Sequence, residues 1–295
     1  RSCRHSEDQS HLRRRFGRNL RLHYLHEDQP LGTAGALKNS ESMVAGERFL
    51  ALNGDVLTGI KLREMMDFHL QRNSQITIAL TPVENPTAYG LVETEGDGRV
   101  VRFLEKPMWD QVTTNTINAG IYILEPEVLE LIPSGKPCSI EREVFPQAVE
   151  AGWRVHGFPT DDYWIDLGTL DKYLVAHRDL LSGRLAVEIP GDQVTEGIWI
   201  GPGGEVDPSA VLEPPVVLGA QCRIAEGARV GPYAVLGDRA VVEEKTTIRD
   251  CVLWDDVSVG SRARLKECIL GSSCVVKAGA TVEGVRAFPN QTTVE

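Results

Sequence analysis

Two aspartates close apolar runs in the chain, at positions where a β-strand would end. Asp55 closes the run FLALNGD, and Asp166 closes the run YWID. In open α/β sheets ligands bind just beyond the carboxyl ends of strands, and carboxylate oxygens are the ligands that hard divalent cations such as Mg²⁺ prefer. Lys106 lies between the two aspartates in sequence, inside the triplet EKP. Together these residues indicate a divalent metal site that serves phosphate chemistry.

The composition is that of a globular protein whose partner is not nucleic acid. The chain has 295 residues, 42% hydrophobic and 25% charged, with six cysteines and a formal net charge of −11. Duplex binding draws most of its affinity from basic side chains, whereas small anionic substrates need only a local cluster of positive charge. No apolar run approaches the roughly eighteen residues of a membrane span, and no CxxC pair occurs. We therefore expect a cytoplasmic protein with reduced thiols and no membrane partner.

The elements that must position these residues fall into two parts with different periods. Through about residue 180, strand-like apolar runs alternate with helical stretches, which is the pattern of an α/β domain. Helices are predicted over 61–72, 141–151 and 170–181, the last with Thr169 as its N-cap. A linker rich in glycine and proline follows. We therefore predict domains at 1–190 and 191–295.

From about residue 195 the sequence has a six-residue period. Mostly small residues, among them Cys222, Cys268 and Cys274, stand two positions before large aliphatic ones. With five-residue steps before Val259 and Leu270, the large stripe runs through Ile200, Val206, Leu212, Leu218, Ile224, Val230, Leu236, Val242, Ile248, Trp254, Val259, Leu265, Leu270, Val276 and Val282. Two inward-facing positions in every six residues are typical of short strands joined by tight turns. The pattern resembles the left-handed parallel β-helix of hexapeptide repeats.

Six segments carry a resemblance to a known family. They are LGTAGAL (31–37), LNGD (52–55), YGLV (89–92), FLEKP (103–107), INAGIY (117–122) and YWIDLGT (163–169). Their order resembles that of the sugar-1-phosphate nucleotidylyltransferases, closest to the mannose-1-phosphate guanylyltransferase type. The resemblance implies an α/β fold: a Rossmann-like, GT-A-like nucleotidyltransferase domain, N-terminally incomplete, with a β-helix after it.

The same resemblance implies an activity and roles for individual residues. This family transfers a nucleoside monophosphate from an NTP, here GTP, to a sugar 1-phosphate, giving pyrophosphate and an NDP-sugar, here GDP-mannose. Carried over by position, Asp55 and Asp166 would bind the cofactor Mg²⁺, and Lys106 would contact the sugar phosphate; these three would be the catalytic set. Substrate contacts are implied for Glu105 and Asn118 at sugar hydroxyls, for the nearby Gly90 backbone, and for Pro30, Gly32 and Thr33 at the base and ribose.

Each of these residues also has a purely structural explanation. A Gly-Asp pair after a strand is usually only a turn, and Asp166 can simply cap the region before the next helix. Glu105 and Lys106 can each be a solvated surface charge. The functional interpretation is favoured because the motifs occur together and in the order that the family has.

The beginning of the chain departs from the family pattern. Such enzymes open with a strand and a loop of the form G-x-G-T-R-L-x-P, whose backbone amides cradle the triphosphate, and residues 1–29 contain nothing like it. We expect the first strand, loop and helix to have been lost through truncation or an incorrect start, with a degenerate protein as the alternative. Impaired activity and poor solubility, from an exposed sheet edge, are the predicted consequences.

Other functions remain open at this point. A thymidylyl-, uridylyl- or adenylyltransferase acting on glucose 1-phosphate would use the same chemistry. A non-catalytic regulatory subunit that binds nucleotide sugar would use the surviving pocket. An acyltransferase on the β-helix is disfavoured because no histidine follows His177. Self-association through the β-helix is expected from related proteins.

Overall fold

The computed structural model describes residues 23–44 and 46–287, which divide into two compact units. The first, called here the sheet unit, contains the described residues up to Leu52 together with Leu62–Thr160. The second, called the β-helix unit, contains Asn53–Lys61 and the described residues from Asp161 onward. Residues 53–61 and 161–190 therefore cluster with the β-helix, and the domain boundary at residue 190 stays a prediction.

Short strands and helices make up the described chain before residue 190. The strands are β1 (Phe49–Leu52), β2 (Val56–Thr58), β3 (Ile76–Pro82), β4 (Gly90–Thr94), β5 (Val100–Glu105), β6 (Thr116–Leu124), β7 (Val155–Pro159) and β8 (Trp164–Asp166). The helices are α1 (Gly32–Asn39), α2 (Glu41–Val44), α3 (Leu62–Gln71), α4 (Phe145–Glu150) and α5 (Leu170–Leu181). Turns of 3₁₀ helix occupy Pro86–Ala88, Trp109–Gln111 and Pro126–Leu131, and a π turn occupies Ile140–Val144. No helix within the described ranges is long and apolar enough to cross a bilayer.

Strand β6 pairs with three other strands of the sheet unit. The sheet has the order β5-β4-β6-β3-β7, and β1 pairs with the C-terminal half of β6, where Leu52 lies opposite Ile121. β6 is antiparallel to β1, β3 and β4, whereas β7 runs parallel to β3. Six of the seven residues of β3 are buried, as expected for a central strand covered on both faces. Helix α4 and the π turn pack against this sheet through Phe145, which contacts the rings of Phe103 and Tyr122.

The helix predicted over 141–151 begins later than expected. Residues Ile140–Val144 form a π turn, and the α-helix starts at Phe145. Pro146 has no N–H to donate to the carbonyl of Arg142, which opens the first turn. Ser139 caps the segment, because its hydroxyl accepts the N–H of Arg142 at 3.2 Å.

The predicted β-helix is confirmed. After β9 (Asp192–Thr195), its strands form three parallel sheets of about five turns, with the apolar stripe directed into a common core. One sheet contains β10 (Ile198–Ile200), β13 (Val216–Leu218), β16 (Ala234–Leu236), β19 (Cys251–Leu253), β22 (Ile269–Leu270) and β25 (Arg286–Ala287). The second contains β11 (Glu205–Val206), β14 (Arg223–Ile224), β17 (Val241–Val242), β20 (Ser258–Val259) and β23 (Val275–Val276). The third contains β12 (Val211–Leu212), β15 (Arg229–Val230), β18 (Thr247–Arg249), β21 (Arg264–Lys266) and β24 (Thr281–Glu283).

One inward position was predicted wrongly by a single residue. Leu236 pairs with Leu253, which is 1% exposed, whereas Trp254 is 44% exposed. The five-residue step therefore falls before Leu253, because Asp250 turns the corner alone with a φ of 51°. Cys251, rather than Val252, consequently occupies the small inward position.

Helix α5 is confirmed with the predicted cap, and it lies on the β-helix. The Thr169 hydroxyl accepts the N–H of Lys172 at 3.3 Å. Leu174 of α5 is buried against Val252 and Ile269 of β19 and β22. Helix α5 is therefore attached to the β-helix within one compact unit.

The predicted loss of an opening strand and loop concerns residues 1–29, most of which lie outside the described residues. Within the described part, β1 pairs only with β6, and Leu52 at its end is half exposed. The expectations of truncation, impaired activity and poor solubility therefore stay predictions.

We predict that His69 makes the sheet unit less stable in mild acid. His69 is buried in α3, with Nδ1 2.8 Å from the Thr77 hydroxyl and Nε2 3.2 Å from Glu125 Oε1. Burial lowers the pKa of His69 below its ordinary value of 6.5, despite the opposing effect of Glu125. The unfolded chain therefore takes up the proton first, so this stabilisation is complete above pH 6.5 and is lost as the pH falls through the folded pKa.

Urea unfolding from about pH 5 to about pH 8 measures this effect. The free energy of unfolding of the wild type should fall towards the acid end, and the fall should be smaller in His69→Gln. Burial also lowers the pKa of His156, which is present in both proteins. The free energy of unfolding of His69→Gln should therefore still fall somewhat towards acid pH. Parallel curves for the two proteins would contradict the assignment.

Candidate active site

Asp55 and Asp166 come from one short antiparallel ribbon in the β-helix unit. β2 pairs with β8 so that Val56 lies opposite Asp166. The N–H of Leu167 donates to the carbonyl of Asp55 at 2.7 Å, which continues the pairing by one residue. Asp55 lies in the turn before β2, and Asp166 is the last residue of β8. The ribbon therefore places the backbones of the two aspartates one register position apart.

The carboxylate of Asp166 already has partners. Its Oδ2 forms an ion pair with Nζ of Lys172, and its Oδ1 accepts the N–H of Gly168 at 3.3 Å. The side chain of Asp166 is 20% exposed, whereas Asp55 is exposed. Sequence reasoning missed Lys172, whose contact depends on how the first turn of α5 folds back towards β8.

The two aspartates suit the oxygen chemistry of magnesium. Mg²⁺ is commonly held by one or two carboxylates and completes its octahedral shell with water and substrate phosphate oxygens. Within residues 23–44 and 46–287, no group of three or more acidic, histidine or cysteine side chains could hold a metal without such help. A cation at this ribbon would therefore rely on ligands that a phosphate substrate brings.

Glu105 and Lys106 form a sharp corner at the end of β5 in the sheet unit. Glu105 pairs with Gly90 across the β4–β5 hairpin, and a Cβ on Gly90 would lie only 2.8 Å from Glu105 Oε2. Lys106 has a φ of 50°, in the left-handed region, and its N–H donates to the carbonyl of Tyr89 at 2.9 Å. Such backbone costs on the order of 1 kcal/mol for a non-glycine residue and concentrates at functional sites. The corner leaves the Lys106 side chain exposed beside a half-buried carboxylate.

Asn118 projects from the middle of the sheet unit next to a buried tyrosine. Its Nδ2 donates to the hydroxyl of Tyr122 at 2.8 Å, and its Oδ1 accepts the N–H of Gly120 at 2.9 Å. These bonds fix the amide orientation of a side chain that is only partly buried. The amide can offer its remaining hydrogen-bonding capacity to a ligand hydroxyl.

Gly32 and Thr33 begin α1 and are attached to the segment around the π turn. Gly32 has a φ of 73°, and a Cβ there would lie 2.6 Å from the carbonyl oxygen of Cys138, so only glycine fits. The Thr33 hydroxyl accepts the N–H of Ile140 at 2.9 Å and donates to Glu141 Oε2 at 2.7 Å. Pro30, just before the helix, is exposed. The start of α1 is therefore rigid, with one exposed face.

Glu141 links several of these residues and was missed from the sequence. Its carboxylate accepts the hydroxyls of Thr33 and Ser139 and hydrogen-bonds Tyr122. Burial first, and then the charge of Glu141, raise the pKa of Tyr122 well above its ordinary value and also raise the pKa of Glu105. No spacing rule relates Glu141 to these partners, because they come from separate elements that only the fold brings together.

The described geometry thus provides two sets of chemistry, one in each unit. The sheet unit offers an exposed ammonium, a half-buried carboxylate of raised pKa and a fixed amide, which suit a phosphorylated ligand that carries hydroxyls. The β-helix unit offers two aspartates whose backbones lie one register position apart on one ribbon. Assignment of individual residues to ligands remains a prediction.

Comparison with known proteins places the chain in a family. The profile of the nucleotidyl transferase family matches residues 3–183, which is more than half of the chain. The chain belongs to the nucleotidyl transferase family. A second profile, described as the GMPPB C-terminal domain, matches residues 194–295.

Relatives of this nucleotidyltransferase differ in the substrates that their names give. Mannose-1-phosphate guanylyltransferase catalytic subunit beta of Drosophila pseudoobscura pseudoobscura is 36% identical over 94% of this chain and 70% of its own length. Mannose-1-phosphate guanylyltransferase of Mycobacterium tuberculosis is 33% identical over 67% of this chain. The matched part of the chain spans 60% of that protein's length. UTP–glucose-1-phosphate uridylyltransferase of Synechocystis is 30% identical over 86% of this chain and 67% of its own length.

Among solved structures, HddC from Yersinia pseudotuberculosis is similar with a TM-score of 0.51 and 26% identity, over 60% of this chain and 75% of that one. The same protein complexed with GMP-PN matches with a TM-score of 0.50 and 26% identity, over 59% of this chain and 74% of that one. These matches support a nucleotidyltransferase fold.

We predict that Glu141→Gln lowers the pKa of Glu105. Burial is the main reason that the pKa of Glu105 is raised, and the charge of Glu141 is the next. Removal of that charge should shift the Glu105 titration towards lower pH. Carbon-13 NMR titration of protein labelled at the glutamate carboxyl carbon measures the shift.

Glu143→Gln is the matched control for this experiment. Glu143 lies in the same π turn, is exposed, and accepts the N–H of Ser139 at 2.8 Å. Its replacement should leave the Glu105 titration unchanged. Equal shifts in the two variants, or no shift in Glu141→Gln, would contradict the coupling.

Proposed function

We propose that this chain transfers the guanylyl group of GTP to mannose 1-phosphate, giving GDP-mannose and pyrophosphate. An oxygen of the sugar phosphate attacks the α-phosphorus of the nucleotide, a new phosphorus–oxygen bond forms, and the bond to the pyrophosphate leaving group breaks. Such transfer needs little covalent help from the protein, so positioning and charge compensation supply most of the catalysis. The observation that carries the proposal is the 36% identity to a guanylyltransferase over 94% of the chain.

The sheet unit supplies the acceptor-binding residues in this proposal. The exposed Lys106 pairs with the sugar phosphate, and its position is fixed by the left-handed corner after β5. Glu105 and Asn118 hydrogen-bond sugar hydroxyls, because both are only partly buried and keep oxygen atoms or N–H groups for a ligand. The Gly90 backbone lies beside Glu105 and lets a ligand approach closely.

The base and ribose are assigned to the start of α1, and the metal ion is assigned separately to the β2–β8 ribbon. Pro30, Gly32 and Thr33 border the base and ribose, which is supported by the rigid, partly exposed start of α1. Asp55 and Asp166 would hold Mg²⁺, which supplies compensation for the charge of the phosphate oxygens when bound. This assignment is supported by the ribbon, on which the backbones of the two aspartates lie one register position apart, and by the preference of Mg²⁺ for carboxylate oxygens.

Location and assembly form part of the proposal. The cysteines of the described residues, Cys138, Cys222, Cys251, Cys268 and Cys274, are all free and buried, which supports a reducing compartment such as the cytoplasm. Self-association through the outer surface of the β-helix is expected, and light scattering after size-exclusion chromatography tests it.

A uridylyltransferase acting on glucose 1-phosphate is the second candidate, favoured by the similarity to the Synechocystis enzyme over 86% of the chain. Pyrophosphate release from each pairing of GTP, UTP, ATP and dTTP with mannose or glucose 1-phosphate separates the two. We expect the highest kcat/KM with GTP and mannose 1-phosphate. Preference for UTP and glucose 1-phosphate would replace our proposal by the second candidate. Binding of GDP-mannose without turnover of any pair would instead favour a regulatory subunit.

We predict that Lys106→Met weakens use of the sugar phosphate. Loss of a hydrogen bond between charged groups costs about ten- to hundredfold in equilibrium or rate terms. The kcat/KM for the sugar 1-phosphate should fall by about this factor, while the KM for the nucleotide changes little. Steady-state kinetics with each substrate varied in turn measures both quantities.

Lys136→Met serves as the control, because Lys136 is also exposed in the sheet unit but follows none of the proposed site strands. It should keep kcat/KM within about twofold of wild type. A Lys106→Met protein with unchanged kcat/KM for the sugar phosphate would remove Lys106 from the proposed site.

A further inference from the structure

The ion pair between Lys172 and Asp166 is held from both ends. Asp166 ends β8, and its backbone is fixed by pairing with Val56 of β2. Lys172 is the third residue of α5, and the hydroxyl of Thr169 accepts its N–H. Between these anchors, Nζ of Lys172 reaches back to Oδ2 of Asp166. The lysine is therefore aimed at the carboxylate by local backbone geometry.

Packing of α5 on the β-helix keeps the lysine in place. Leu174 is buried at 5% exposure, and Tyr173 packs beside it, against Val252 and Ile269. Asp171, in the same turn as Lys172, receives a hydrogen bond of 2.9 Å from Nη2 of Arg286. The side chain of Lys172 is itself 35% exposed, so water can replace Asp166 as its partner.

The ammonium of Lys172 and a divalent cation would compete for the carboxylate of Asp166, because both are positively charged. A positive charge in the first turn of a helix is unfavourable, because the free N–H groups there carry partial positive charge. Contact with Asp166 offsets that penalty for Lys172. A metal ion on Asp166 would meet the ammonium at close range and would take over the carboxylate that now contacts it. Metal binding must therefore move the lysine away.

We propose that Lys172 is an internal competitor for the metal at Asp166, so that a divalent cation binds this carboxylate only by displacing the lysine. This inference rests on the metal site of the proposed function. It predicts weak metal binding by the chain alone, because each binding event must break an existing ion pair. Higher salt should narrow the difference between wild type and a variant without the lysine, since salt screens a partly exposed pair.

Titration with Mn²⁺, followed by the electron paramagnetic resonance of the free ion, tests the competition without any enzyme assay. Lys172→Met should bind Mn²⁺ about fivefold more tightly than wild type, the upper end of the factor expected for loss of one partly exposed ion pair. Lys172→Arg should bind Mn²⁺ about as weakly as wild type, because it keeps the charge. Circular dichroism confirms that the variants fold, and Lys172→Gln replaces Lys172→Met if that variant does not.

Lys266→Met is the control for net charge. Lys266 also belongs to the β-helix unit and pairs with Glu283 at 2.6 Å, so the same kind of charge pair is broken. It should leave Mn²⁺ affinity within about twofold of wild type. Equal tightening in Lys172→Met and Lys266→Met would overturn the proposal in favour of a general effect of charge.

Asp166→Asn separates failure of this inference from failure of the metal site. If Asp166→Asn weakens Mn²⁺ binding but Lys172→Met does not tighten it, the competition is refuted and the metal site stands. If Asp166→Asn has no effect, the metal site itself is refuted and the competition with it. Pyrophosphate release reports on the proposed transfer independently of both results.

Discussion

The short ribbon of β2 and β8 holds together two aspartates that are far apart in sequence, and the proposed chemistry depends on it. Val56 lies opposite Asp166, and the N–H of Leu167 donates to the Asp55 carbonyl, so the backbones of the two acids are held one register position apart. Helix α5 follows directly and is fixed on the β-helix through Leu174. The β-helix therefore does more than extend the chain, because it supports the segment that carries a proposed metal ligand. Rigid support of this kind is what a site with few protein ligands needs.

Glu105 and Asp166, two acidic residues of the proposed site, have different electrostatic surroundings. In the sheet unit, burial first and the charge of Glu141 second raise the pKa of Glu105. In the β-helix unit, Asp166 is neutralised by a neighbouring lysine. A carboxyl group of raised pKa is suited to hydrogen bonding with hydroxyls, whereas a neutralised carboxylate must exchange one cation for another. The difference matches the sugar and metal roles proposed for them.

Much of the architecture follows from sequence periodicity, because a period depends only on which residues are apolar. The six-residue stripe predicted the β-helix, and Thr169 predicted the start of α5, since both signals are local. The corner at Asp250 was misplaced by one residue, because a strand of apolar residues such as CVLW fits either register. Glu141 and Lys172 were missed since long side chains find partners through tertiary folding, which spacing does not encode. The later start of α4 could have been predicted, because Pro146 is visible in the sequence and lacks the N–H that the first helical turn needs.

The corners of the β-helix bear on how such a domain can evolve. Val216 pairs with Ala234, but Ala234 pairs with Cys251, so that coil is one residue shorter than the coil before it. The shortening falls where Asp250 turns the corner alone, and the strands on either side keep their inward faces. A residue lost inside a strand would instead turn every following side chain to the other face. Insertions and deletions among descendants of this domain should therefore survive at corners and be eliminated within strands.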